Sequence, residues 1–178
     1  MMRALGRGSV SSILKVILDV FRVVLWIGVA MASVGVLAAL LLSFRPDLLG
    51  DISDFDLLDV GGPVLGPAAA ALFLIFDLYL IGGLIVVERL RAVFATLISG
   101  DPFHPENAAR LRVIALTLAA LEVGRYVAAA MAHVLLHGAM RISGGVSLTT
   151  WFAVLVIVVL AEVFREGARL RGEAELTI

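Results

Sequence analysis

From Val23 to Phe44 the chain runs 22 residues without a charged side chain. No other feature leaves it so few folds. As a helix rising 1.5 Å per residue, such a segment covers roughly 30 Å, the thickness of a bilayer's hydrocarbon core. Three more apolar stretches, about 64–87, 113–136 and 148–164, are long enough to follow it across. Lipid offers no water to satisfy backbone N–H and C=O groups, so each stretch is expected to be a helix that bonds within itself. With 61% hydrophobic residues and a mean hydropathy of +1.07, 178 residues carry more apolar surface than a soluble domain of that size buries. The expectation is an all-α, integral membrane four-helix bundle in one domain, 1–178, without internal repeats or low-complexity segments. A cleavable signal peptide is the rival reading of the first stretch. Its length exceeds a typical signal core, and Arg45-Pro46-Asp47 is no small-residue cleavage site, so it is read as a retained anchor.

Charge sets the orientation. Arg3, Arg7, Lys15, Arg22, Arg89, Arg91, Arg110, Arg112, Arg165, Arg169 and Arg171 fall on one side of the four spans, Arg45 and Arg141 on the other, and Arg125 within. Basic residues stay with the cytoplasm, so both termini are expected there, in a multi-pass protein of the inner (cytoplasmic) membrane. The segment 88–112 then becomes a cytoplasmic hairpin extension and 165–178 a cytoplasmic tail. Leu90, Val93, Phe94, Leu97 and Ile98 keep a helical repeat beyond the second span, so that helix continues about two turns as an amphipathic stalk until Gly100 stops it. Pro105, with Glu106 in the first turn, opens the next helix.

The opposite side is acidic. Asp47, Asp51, Asp54, Asp56 and Asp59 lie in a loop closed by Gly61-Gly62-Pro63. Spaced aspartates are calcium ligands in some loops, but this spacing lacks the glycine and terminal glutamate of an EF-hand, and a solvated acidic loop is the preferred reading. His133 and His137 stand four apart without a third ligand, and are read as interfacial histidines. The chain has no cysteine, which removes disulfides, thiolate metal sites and cysteine nucleophiles. No nucleophile elbow, phosphate-cradling loop or metalloprotease motif appears. Neither an enzyme, a cofactor, a metal nor direct nucleic-acid binding is expected.

Two kinds of residue within the spans need an account. Gly28, Ala32, Gly35 and Ala39 on the first span, and Ala120, Gly124, Ala128 and Ala132 on the third, form small-residue stripes where another helix can come close. Packing inside one bundle and self-association satisfy them equally, so a homo-oligomer stays open. Asp77, Glu122 and Arg125 are ionisable residues at membrane depth, which is costly unless they are paired or hydrated. Asp77 is twelve residues above Arg89 and Arg125 thirteen above Arg112. Both should therefore share a depth roughly 18–20 Å above those arginines, where they could pair across the hairpin. Two readings compete for the three residues: a polar site for a proton, cation or headgroup, and an ion-pair network that fixes helix register. Tyr79, Tyr126 and Trp26 read as packing residues.

The run Gly100-Asp101-Pro102-Phe103-His104-Pro105-Glu106-Asn107, followed by Leu111, and the closing Phe164-Arg165-Glu166-Gly167-Ala168-Arg169-Leu170 to Leu176-Thr177-Ile178, resemble the bacterial membrane proteins catalogued as domain of unknown function 2975. Length and four-span layout carry the likeness over the whole chain. It departs from the family's pattern at His104, where a small hydroxyl cap is expected, and at Gly172, where a polar residue is more usual. The resemblance implies no established activity, and a membrane partner for a small helix-turn-helix transcription regulator of the kind often encoded beside such proteins. Pro102, Phe103, Pro105, Glu106, Asn107, Phe164, Arg165, Glu166, Gly167, Leu170, Leu176, Thr177 and Ile178 would then form its docking surface. The other reading is that the two motifs brace one another, Phe103 giving apolar contact and Glu106 facing Arg169 or Arg171.

Overall fold

The computed structural model describes residues 7–44, 65–135 and 145–175. The acidic aspartates, His137, Arg141 and the closing Leu176, Thr177 and Ile178 lie outside them, and of His133 and Ala132 only the backbone is described. The fold is all-α, with α1 (Arg7–Phe44), α2 (Leu65–Ile98), α3 (Pro105–Leu135) and α4 (Leu148–Glu175). Each contains a segment long and apolar enough to cross a membrane: Leu14–Phe44, Gly66–Ile98, Pro105–Met131 and Leu148–Ala174. This is the architecture of a multi-pass membrane protein. α1 packs on α2, α2 on α3 and α3 on α4.

The turn between α2 and α3 follows from local chemistry. Gly100 takes a φ of 86°, a left-handed conformation that costs a residue without Cβ nothing. That lets the Gly100 N–H reach the Leu97 carbonyl at 3.2 Å and the Asp101 N–H reach the Thr96 carbonyl at 2.9 Å, closing the last turn of α2. Pro105 opens α3, as its fixed φ and absent N–H favour. His104 does the work of the expected hydroxyl: its Nδ1 accepts from the Glu106 N–H at 3.3 Å, while its carbonyl accepts from the Asn107 N–H at 2.9 Å. Gly172 does not interrupt α4, which is helical through it to Glu175.

α1 and α2 run antiparallel in a register set by small residues. Ala32, Ala39 and Ala70 are buried, Gly28 faces Leu80, and Gly35 faces Phe73. At Gly66 the approach is between backbones, since a Cβ built there would lie 3.0 Å from the Ser43 Cα. Two ion pairs close the tip end of this interface, Arg22 with Glu88 at 3.6 Å and Arg91 with Asp19. The second stripe behaves differently. Ala120 and Gly124 are exposed, and a Cβ on Gly124 would meet nothing within 4 Å among the described residues. Around Ala120 and Gly124 the third span therefore does not use this stripe for tight packing; at this level it meets α2 through Leu121 and α4 through Tyr126 instead. The α3–α4 core is larger-grained: Leu111, Ile114 and Ala161 are buried, with Val86, Leu90, Leu118, Ile157 and Phe164 packed around them.

Large apolar side chains line the outer faces, among them Met31 and Leu41 on α1 and Phe152 and Leu155 on α4. In water they would form one exposed patch far larger than soluble proteins carry; in a bilayer, acyl chains cover them. The two glycine environments make a test. Gly66→Val should lower stability in detergent by about 1–3 kcal/mol, because the α1 backbone must move. Gly124→Ala should be neutral or gain up to about 1 kcal/mol from helix propensity. Thermal unfolding of the two variants beside the wild type checks both.

Candidate functional site

The intramembrane charges come first. Residues two apart on a helix point about 200° apart around its axis. Tyr79 faces α3, where its hydroxyl donates to the Leu121 carbonyl at 3.0 Å, so Asp77 must face away from α3. It faces α1. Ser33 Oγ donates to Asp77 Oδ2 at 2.9 Å, and the side chain is only 9% exposed. Asp77 Oδ1 is buried and has no hydrogen-bond partner among the described residues.

Glu122 and Arg125, three apart on α3, pair as their spacing suggests. Arg125 donates through Nε to Oε2 at 3.2 Å and through Nη2 to Oε1 at 2.6 Å, and Tyr126 OH donates to the same Oε1 at 2.6 Å. The arginine also donates to the Gly145 carbonyl at 2.7 Å. Tyr126 OH accepts from Trp151 Nε1 at 3.1 Å and from the Ser147 N–H at 3.4 Å. Ser147 caps α4, its Oγ accepting from the Thr150 N–H at 3.3 Å.

The expected cluster therefore divides into two. Glu122 and Arg125 tie α3 to the first turn of α4, and the expected pairing of Asp77 with Arg125 gives way to the bond with Ser33. Equal depth was not enough, because Asp77 and Tyr79 lie on opposite faces of α2. The Glu122–Arg125 pair also lies level with the start of α4 rather than with its middle. Tyr126, read from sequence as packing, is the node of this network. Its spacing from Glu122 was visible, but the partners supplied by residues 145–151 were not.

The second constellation is the α2–α3 turn with the end of α4. Asn107 has no exposed surface. Its Nδ2 donates to Thr96 Oγ1 at 2.7 Å and to the Pro102 carbonyl at 3.1 Å, and its Oδ1 accepts from Arg110 Nη1 at 3.0 Å. Arg110 reaches on to the Ala92 carbonyl at 3.0 Å, spanning from α3 to α2. One buried amide thus holds the stalk, the turn and the first turn of α3. Neither Thr96 nor Arg110 was distinguishable from sequence as a partner.

α4 lies against this turn. The Phe103 and Phe164 rings are 5.8 Å apart, and a Cβ on Gly167 would sit 2.5 Å from the Phe103 ring, so glycine makes the seat for that ring. Arg171 pairs with Asp101 across the gap. The expected contact of Glu106 with Arg169 or Arg171 is corrected here. Glu106 pairs with Arg110 four residues along α3, and Arg169 with Glu166 and Glu173 on α4. Local partners on one helix face outcompete distant ones, and Asp101 in the turn is the acid that projects toward α4. Arg165 pairs with Glu162, which also meets Arg112 at 3.4 Å. Pro102, Phe103, Asn107, Phe164 and Gly167 therefore meet in one place. Pro105 and Glu106 flank it on α3, and Leu170 stays 54% exposed beside it.

Compared with known proteins, residues 21–178 match the model of a family described as a protein of unknown function, DUF2975. No curated protein and no solved structure matches.

The tip's energetics can be separated by substitution. Asn107→Ala leaves Thr96, Arg110 and a carbonyl short of partners and should cost about 1–3 kcal/mol. Arg171→Ala breaks an exposed pair and should cost less than about 1 kcal/mol. Denaturation in detergent micelles ranks the two, and equal losses would contradict the central place of Asn107.

Proposed function

The chain belongs to the DUF2975 family of proteins of unknown function, and from that premise we propose that it is an inner-membrane docking protein for a small cytoplasmic transcription regulator of the helix-turn-helix type. The observation that carries this reading is the meeting of two distant motifs, around Phe103 and around Phe164 to Leu170, at one end of the helices. Apolar side chains stay open there: Leu97, Ile98, Phe103 and Leu170 are all exposed, on the side to which eleven of the fourteen basic residues belong. On the positive-inside rule that side is cytoplasmic, along with both termini. A surface of apolar anchors ringed by arginine–carboxylate pairs is suited to a protein partner. The reading assigns the chain no catalysis.

Asp77 favours a second reading. A buried carboxylate at membrane depth, one oxygen of which has no partner among the described residues, is what a small transport or ligand-binding protein would use. In that case Asp77→Asn should reduce proton or ligand flux in liposomes more than Glu122→Gln does, since Glu122 is already held by Arg125 and Tyr126. Unchanged flux in both variants removes the transport reading.

For the docking reading, photoreactive residues placed at Phe103 and at Leu170 in native membranes should crosslink a small DNA-binding protein. Capture from Phe103 should fall when the tail from Phe164 onward is deleted. Crosslinks to the chain's own helices alone would make the two motifs structural and end the proposal.

A further inference from the structure

Between the start of α1 and the stalk of α2 a cleft of about 490 Å³ opens on the tip side of the Arg22–Glu88 and Asp19–Arg91 pairs. Leu18, Phe94 and Ile98 give it apolar walls, and Lys15, Arg91 and Glu88 stand at its rim. The rim charges do not cancel. Glu88 is engaged by Arg22 and Arg91 by Asp19, whereas Lys15 is exposed and has no ion-pair partner among the described residues. One uncompensated cation therefore faces a partly apolar cavity.

The depth of the cleft says what can reach it. Arg22 directly precedes the charge-free run of α1, and Glu88 follows the last apolar residues of the second span, so the two mark the hydrocarbon boundary. Lys15 lies seven residues further out on α1, roughly 10 Å, which puts the cleft in the polar headgroup layer. A free phosphate could meet Lys15, but the apolar walls would strip its water without replacing it. A protein segment would have to displace headgroups to enter. A phospholipid already has its phosphate at this level and its glycerol and first methylenes beside it, which matches a cation above apolar side chains.

We propose that the cleft formed by Lys15, Leu18, Phe94 and Ile98 binds the headgroup of an anionic phospholipid from the leaflet on the tip side. Lys15 contacts the phosphate, and the excess positive charge selects an anionic headgroup over a zwitterionic one. The site adjoins the tip surface, with Ile98 at their shared edge, and does not depend on a regulator. The α1–α2 pair would thereby be held at a fixed height in the leaflet.

The test is native mass spectrometry of the full chain in detergent with equimolar phosphatidylglycerol and phosphatidylcholine. Wild type should retain the anionic lipid in preference. Lys15→Gln should lower that preference about fivefold and Lys15→Arg should keep it. Arg89→Gln, which removes an exposed charge outside the cleft, should change it far less. Ile98→Glu brings a carboxylate to the rim and should reproduce the loss, even where Lys15→Gln fails to fold. Equal retention by Lys15→Gln and wild type overturns the proposal. So does an equal loss in Arg89→Gln, which would mean general attraction, or displacement of the lipid by millimolar inorganic phosphate. A dimer that forms through the cleft in the absence of lipid overturns it as well.

Discussion

The buried amide of Asn107 is the interaction on which the tip of the molecule depends. An amide without exposed surface is tolerated only when its hydrogen-bonding groups are met, and here Thr96, the Pro102 carbonyl and Arg110 meet them. The bonds fix the angle between stalk and third helix as well as the path of the turn. That path places Phe103 over Gly167 and Asp101 within reach of Arg171. The seat for the last helix is thus a consequence of how the turn is pinned, and the exposed pairs around it only trim its position. A carboxylate or an apolar residue in place of Asn107 would leave at least one of these groups unanswered.

The two halves of the molecule solve the same packing problem in different ways. Lipid tails are as apolar as leucine, so burial alone does not bring membrane helices together. The α1–α2 pair uses close approach at small residues, with ion pairs at the membrane boundary where water screens them. The α3–α4 pair uses larger side chains around Ala161 at one end, and at the other a polar network from Glu122 to Trp151. α2 stands between, with Gly82 accepting the Leu121 side chain of α3 and Tyr79 bonding the Leu121 carbonyl. This leaves Ala120 and Gly124 of α3 toward the surroundings.

Helix positions and ends were legible in the sequence because they depend on local terms: run length, the repeat of the stalk, Gly100 and Pro105. The family motifs were legible too, and their meeting at Phe103 was anticipated. Azimuth was harder. Counting residues put Asp77 and Arg125 at similar heights along their helices, but the face on which each lies is set by how α2 rolls between two neighbours. Tyr79 could have given the clue, since two positions on a helix nearly reverse direction. The Asp101–Arg171 pair was missed for a related reason, because Glu106 looked the better acid until Arg110 claimed it. The two small-residue stripes show the limit of composition: they look alike in sequence, yet the first is packed while Ala120 and Gly124 of the second are exposed.

α4 is held unequally at its two ends. At its start, Glu122 is 6% exposed, and the bonds through Arg125, Tyr126, Ser147 and Trp151 lie in surroundings where an unmade bond is expensive. At its end, the contacts with the tip include the exposed Arg171–Asp101 pair, the Phe103–Phe164 ring contact and the seat of Phe103 on Gly167, and an exposed pair of this kind is worth about 1 kcal/mol or less. Any force that separates α4 from its neighbours therefore acts first at the tip, while the start stays fixed. A partner of the proposed kind, docking at Phe103 and Leu170, would compete with the contacts at the tip and leave the network at the start of the helix in place.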